Sequence, residues 1–133
     1  TFAAAVSYAA CERPHEVEVA DFDGDGVVDI AVACWGGDDL GLLRGNGDGT
    51  FGAATMFAAG NAAHSLEAHD FDGDGALDLA VAAYGSNRVS ILINDGAGSF
   101  AAPVMYWSGL GPHNIQLADI NADGIVDLVM TAE

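Results

Sequence analysis

The chain has 133 residues, 51% of them hydrophobic, with 20 acidic against 3 basic side chains and a formal net charge of −17. That apolar content excludes intrinsic disorder despite the charge, and no apolar run approaches the roughly 18 to 20 residues that a membrane span requires. The scarcity of basic residues argues against nucleic acid or an anionic membrane surface as a direct partner and makes cations the natural ones.

Three nine-residue stretches organise the rest: Asp21–Asp29 (DFDGDGVVD), Asp70–Asp78 (DFDGDGALD) and Asp119–Asp127 (DINADGIVD), whose first residues are 49 apart. The same step separates Phe2, Phe51 and Phe100, and also His15, His64 and His113. A fixed period of this size marks a repeat architecture. Residues 1–10 match Thr50 to Ala59 and are expected to be the last strand of a preceding unit. Residues 11–59 then form one unit: HEVEVADF alternates into the acidic loop, DIAVACW follows it, and LGLLRG, the turn NGDGT and FGAATMFAAG supply a third and fourth strand. Residues 60–108 repeat this with HSLEAHDF, DLAVAAY, RVSILI, the turn NDGAGS and FAAPVMYW, and residues 109–133 contain the first half of a further unit.

Four short strands per repeat separated by Gly- and Asp-rich turns predict an all-β fold of β-propeller blades, here an incomplete set of about 2.7 blades and eleven strands. The second strand, Ile30 to Cys34 in one unit and Leu79 to Ala83 in the next, is apolar at every position, as expected for a strand covered on both faces. Three full periods would need 147 residues. Together with a first residue that is Thr and not Met, this reads as a section of a longer repeat protein, or a protomer completed by its neighbours.

The loops hold 11 of the 20 acids. Four carboxylates within nine residues repel one another unless a cation neutralises them. In D-x-D-x-D-G-x-x-D the side chains at positions 1, 3, 5 and 9 and the carbonyl at position 7 can converge on one ion, and glycine at position 6 permits the turn that aims that carbonyl. Hard oxygen donors in this number suit Ca²⁺ better than Mg²⁺, and the lack of thiolate or imidazole disfavours zinc. An EF-hand fails, because position 12 is Val32, Val81 and Met130 and the flanks alternate as strands. NGDGT and NDGAGS lack four spaced acids and read as ordinary turns.

The run VEVADFDGDGVVDIAVACW followed by LLRGNGDGTF resembles the FG-GAP/VCBS repeat of integrin α-subunit heads and many secreted proteins. The resemblance implies a propeller, commonly of seven blades, with a calcium loop between the first and second strands of a blade. It also implies an extracellular or cell-surface setting and a role in adhesion, recognition or scaffolding. The ligands it implies are Asp21, Asp23, Asp25, Val27 (carbonyl) and Asp29; Asp70, Asp72, Asp74, Ala76 (carbonyl) and Asp78; and Asp119, Asn121, Asp123, Ile125 (carbonyl) and Asp127, three calcium sites in all.

In the family's arrangement His15, His64 and His113, with Trp35 and Tyr84, lie on the face opposite those loops. A repeated structural role, such as a hydrogen bond to a connector carbonyl, is favoured for these histidines over a carbohydrate or peptide pocket. No enzyme is expected, because the same few groups recur where catalysis needs a unique constellation. The leading function is a calcium-binding recognition or adhesion module. The alternative is a structural protomer that assembles head to tail through its edges, with Phe2, Val6 and Tyr8 at one end and Leu128 and Met130 at the other; a non-catalytic part of a secreted enzyme comes last. Cys11 and Cys34 share one face of a blade, and the sequence leaves open whether they are bonded.

Overall fold

The computed structural model describes residues 4–133. The strands are β1 (Pro14–Ala20), β2 (Asp29–Cys34), β3 (Asp39–Leu43), β4 (Thr55–Ala58), β5 (Ala63–His69), β6 (Asp78–Ala83), β7 (Arg88–Leu92), β8 (Val104–Trp107), β9 (Asn114–Ala118) and β10 (Asp127–Thr131), with one 3₁₀ turn at Tyr84–Ser86. They form two four-stranded antiparallel meanders, β1-β2-β3-β4 and β5-β6-β7-β8, and a two-stranded sheet of β9 and β10. The fold is all-β and built of propeller-like blades. Register follows the repeat: Val17 opposes Val32, Leu66 opposes Val81 and Ile115 opposes Met130. Among the described residues no helix is long and apolar enough to cross a membrane.

Burial explains the apolar second strands. All six residues of β6 are buried. Alternation sends Leu79 and Val81 into one core with Phe22, Leu40, Leu42 and Phe100, whereas Ala80 and Ala82 enter a second core with Val89 and Ile115. β6 is therefore the shared wall between the first blade and the β9-β10 pair. Small alanines on one face and larger residues on the other set how closely each neighbour approaches.

Two expectations need correction. Residues 4–10 form no strand, so ten strands are present among the described residues and not eleven; this segment finds no neighbouring strand there to complete a hydrogen-bonded ladder. It nevertheless lies where a fourth strand would. Tyr8 packs edge-on against Phe51 with ring centroids 5.4 Å apart, the counterpart of Phe57 on Phe100 at 5.2 Å one repeat later. The second correction concerns the proposed assembly residues. Leu128 and Met130 turn inward onto the second core and Tyr8 is engaged by Phe51, which leaves Val6 exposed; Phe2 lies outside the described residues. Cys11 and Cys34 are disulfide-bonded, with Cα atoms 6.0 Å apart, and the bond fastens the N-terminal segment to the end of β2.

Candidate metal centres

Each acidic loop joins the first strand of a blade to the second, and each is wound by its own aspartates. At position 1, Asp21 accepts the Gly24 and Gly26 N–H groups at 2.8 and 2.9 Å, and Asp70 accepts those of Gly73 and Gly75 at 2.7 and 2.9 Å. Asp119 accepts from Gly124 at 2.8 Å in the same way. Asp25, Asp74 and Asp123, at position 5, accept the N–H of Val27, Ala76 and Ile125 at 2.7 to 2.8 Å. Glycine is required at position 6, where φ is +85° in Gly26 and +93° in Gly75, values that crowd a Cβ. Position 4 makes a similar demand that the sequence reading passed over: Gly24 and Gly73 meet it, but Ala122 stands there in the third loop with φ +61°.

Position 9 is the anchor. Asp29 and Asp78, 1% and 0% exposed, begin β2 and β6 and are held from two sides. Asp29 accepts the N–H groups of Phe22 and Gly45, and Asp78 those of Phe71 and Asn94, at 2.8 to 3.0 Å. Thus the turn after the third strand of the same blade reaches back to fix the last acid of the loop.

The outcome is two groups of convergent carboxylates. Oxygens of Asp21, Asp23 and Asp29 lie within 4.8 Å of one another, and so do those of Asp70, Asp72 and Asp78. Asp25 and Asp74 stand outside these triads. The third loop brings together no group of three acids, since Asn121 occupies position 3 and donates to Asp123 at 2.9 Å. The electrostatics match the crowding. Burial, then the nearby Asp29 and Asp25 charges, pushes the Asp23 carboxyl above its ordinary range. Burial also raises Asp78, against the N–H groups of Asn94 and Phe71. In Asp70 burial acts upward, but the N–H groups of Gly73, Gly75 and Asp74 outweigh it and hold the carboxyl low. An all-oxygen donor set with charge to neutralise fits a hard divalent cation.

Two residues at these centres went unnoticed in the sequence. Arg44 places Nε 3.4 Å from Asp23 Oδ2 and donates from Nη2 to the Ala97 and Gly98 carbonyls. The buried Asn94 touches both loops. Their only sequence signal is a break in the repeat, for the position of Arg44 is Ile93 in the next unit and that of Asn94 is Gly45 in the previous one.

A family model for the FG-GAP-like repeat matches residues 21–81 and again 70–130, each match starting at the first aspartate of a loop and the two offset by one period. The chain belongs to the FG-GAP-like repeat family. Each family match runs from one acidic loop through the rest of its blade and across the next loop. No curated protein matches the chain.

At the other end of the same strands in this FG-GAP-like chain, His15, His64 and His113 form a column with ring centroids 3.8 and 4.3 Å apart. His15 Nδ1 donates to the His64 carbonyl at 3.1 Å, a repeat-to-repeat tie. Burial, then His15 and His113, holds the His64 imidazole below its ordinary range. Half-buried Trp35 and Tyr84, with rings 5.1 Å apart, flank the column. A cleft of about 320 Å³ opens along it, lined by the three histidines with Glu16, Ser65 and Asn114.

Proposed function

We propose that the chain is a calcium-binding section of an extracellular β-propeller that acts as a recognition or adhesion module. The observation that carries this reading is the pair of carboxylate triads, each anchored by a fully buried aspartate and each repeated at the family's period. In the first loop Asp21, Asp23, Asp25, Asp29 and the Val27 carbonyl would hold the ion, and in the second Asp70, Asp72, Asp74, Asp78 and the Ala76 carbonyl. The third set is Asp119, Asn121, Asp123, Asp127 and the Ile125 carbonyl, with one charge fewer. Calcium supplies positive charge that relieves the repulsion among the acids and ties each loop to the strand that follows it. The Cys11–Cys34 bond supports an oxidising, extracellular setting.

Recognition is assigned to the end of the sheets opposite the loops. There the imidazole column, Trp35 and Tyr84 offer aromatic faces and hydrogen-bonding groups beside the cleft, a surface suited to a protein or carbohydrate ligand. A binding role is favoured over catalysis because the histidines stand there at the repeat interval, and the one hydroxyl of the lining, that of Ser65, is buried and engaged with Asn114 and the Ile115 N–H and not with an imidazole.

Thermal unfolding with and without chelator tests the proposal. A ligand that binds only the folded state adds RT ln(1 + [L]/Kd), so a site of Kd about 10⁻⁴ to 10⁻³ M contributes about 1 kcal/mol at a few millimolar calcium. Chelation should lower Tm by several degrees and added calcium should restore it. A melting curve indifferent to both would refute the reading.

A second reading, a structural protomer, is favoured by one observation. Tyr8 and Phe57 each pack on a phenylalanine of the next blade, but Tyr106, the next residue in that series, is 58% exposed on the face of β8. A further blade or a neighbouring copy would cover it. Light scattering in calcium separates the two readings: a monomer at every concentration removes self-association.

A further inference from the structure

We propose that the first and second acidic loops bind calcium as a coupled pair and that buried Asn94 is the positioning residue that couples them. The inference rests on the calcium reading of the loops and deepens it.

Asn94 is 1% exposed and lies between the two loops. Its Nδ2 donates to the Phe22 carbonyl at 2.7 Å and to the Leu77 carbonyl at 3.0 Å. Phe22 stands between Asp21 and Asp23, and Leu77 directly precedes Asp78. The Asn94 N–H donates to Asp78 Oδ1 at 2.8 Å, and its Oδ1 accepts from Gly96 at 3.2 Å. Both amide protons are thus committed, one to each loop, in an interior where losing either bond leaves a carbonyl without a donor.

Arg44 reinforces the link. It bridges Asp23 to the carbonyls of Ala97 and Gly98, so the turn after β7 is bound to the first loop at two points. The aromatic contact of Phe22 with Phe100, at 6.1 Å between centroids, lies in the same layer. When carboxylates of one loop close on an ion, Phe22 or Leu77 moves with them and carries Asn94. The other loop then closes onto a partner already in place. Linkage makes the effect reciprocal.

The counterpart of Asn94 for the third loop would stand at position 143, past the 133 residues of this sequence, which makes the third loop an unlinked reference in this chain. Among the described residues all its side-chain hydrogen bonds close within the loop, from Ile120 to Asp127 and among Asp119, Asn121, Asp123, Gly124 and Ile125.

The test is a calcium titration of the 133-residue chain followed by NMR at the amides of Gly26, Gly75 and Gly124, one in each loop. Asp72→Ala, at an exposed ligand position, disables the second loop. We expect it to raise the calcium Kd read at Gly26 by about fivefold or more while leaving Gly124 unchanged. In an Asn94→Gly background, which installs the residue found at the equivalent position 45, the same change should move Gly26 by less than about twofold. An unchanged Gly26 curve in Asp72→Ala overturns the coupling, as does an equal shift at Gly124, and a full effect persisting in Asn94→Gly overturns the role of Asn94. Should Asn94→Gly fail to fold, the comparison of Gly26 with Gly124 in Asp72→Ala still decides whether the loops are coupled. If no glycine amide of the wild-type chain responds to calcium, the calcium reading itself has failed, a result distinct from three independent responses.

Discussion

The loops Asp70–Asp78 and Asp119–Asp127 are wound by the same internal hydrogen bonds, yet they sit in different surroundings. Asp78 is fully buried and receives N–H groups from its own loop and from Asn94 beyond β7. Asp127 is half-buried and receives one from Ile120. Gly73 occupies the left-handed fourth position of one loop, whereas Ala122 occupies it in the other. Nine residues are therefore enough to shape the turn. Convergence of three acids goes with aspartate at position 3 and with the clamp that the later turn of the blade puts on position 9; for Asp127 the matching turn would fall near position 143, past the residues of this sequence.

The largest expected effect breaks this clamp. Asp78→Ala removes the acceptor for two N–H groups, those of Phe71 and Asn94, and at about 1 to 3 kcal/mol for each buried group left unpaired should cost about 2 to 6 kcal/mol. Asp127→Ala should cost about 1 kcal/mol or less, because its donor is within reach of water. Urea unfolding in excess chelator, which removes any contribution of the metal, checks both. Equal losses would mean that the surroundings of position 9 do not matter.

The next change makes the third loop more like the second. Asn121→Asp restores the missing charge and ends the donation to Asp123. A unit charge at close range in partly desolvated surroundings is worth on the order of 1 kcal/mol. A calcium titration read at Gly124 should then tighten by about fivefold. Ala122→Gly relieves a left-handed alanine and should raise stability in chelator by about 1 kcal/mol or somewhat less, since glycine also loses more chain entropy on folding.

The smallest effect concerns the end of the molecule away from the loops. His64 is held below its ordinary imidazole range by burial first and by His15 and His113 next, while its bond to the His113 backbone and the Glu16 charge oppose the shift. The unfolded chain therefore binds the proton more readily than the folded one. Stability should rise as pH increases toward the unfolded imidazole value near 6.5 and level off above it. His64→Gln should flatten that rise in chelator-treated protein followed by urea unfolding between pH 5 and 8. An unaltered slope would place the titration elsewhere.

Much of this architecture was legible because it is periodic. The interval from Asp21 to Asp70 to Asp119 placed every strand from β1 to β10 and every loop, and the unbroken apolar run Leu79 to Ala83 identified β6 as a strand covered on both faces. What escaped depends on how blades sit against one another. Arg44 and Asn94 interrupt the repeat, and their importance appears only when the turn after β7 is seen to lie against Phe22 of the preceding blade. The segment of residues 4–10 takes the side-chain packing of a fourth strand, Tyr8 on Phe51 as Phe57 on Phe100, but has no ladder partner among the described residues. Leu128 and Met130 looked free because DLVMTAE stands without the third and fourth strands of its blade, although their alternation on β10 turns them into the second core.

The central claim is that these loops are calcium sites whose quality follows their surroundings. Calorimetric titration of the chelator-stripped chain tests it most directly. The account predicts three ions per chain, two bound more tightly in the loops from Asp21 and Asp70 and one more weakly in the loop from Asp119. Absence of calcium binding at millimolar concentration would contradict it.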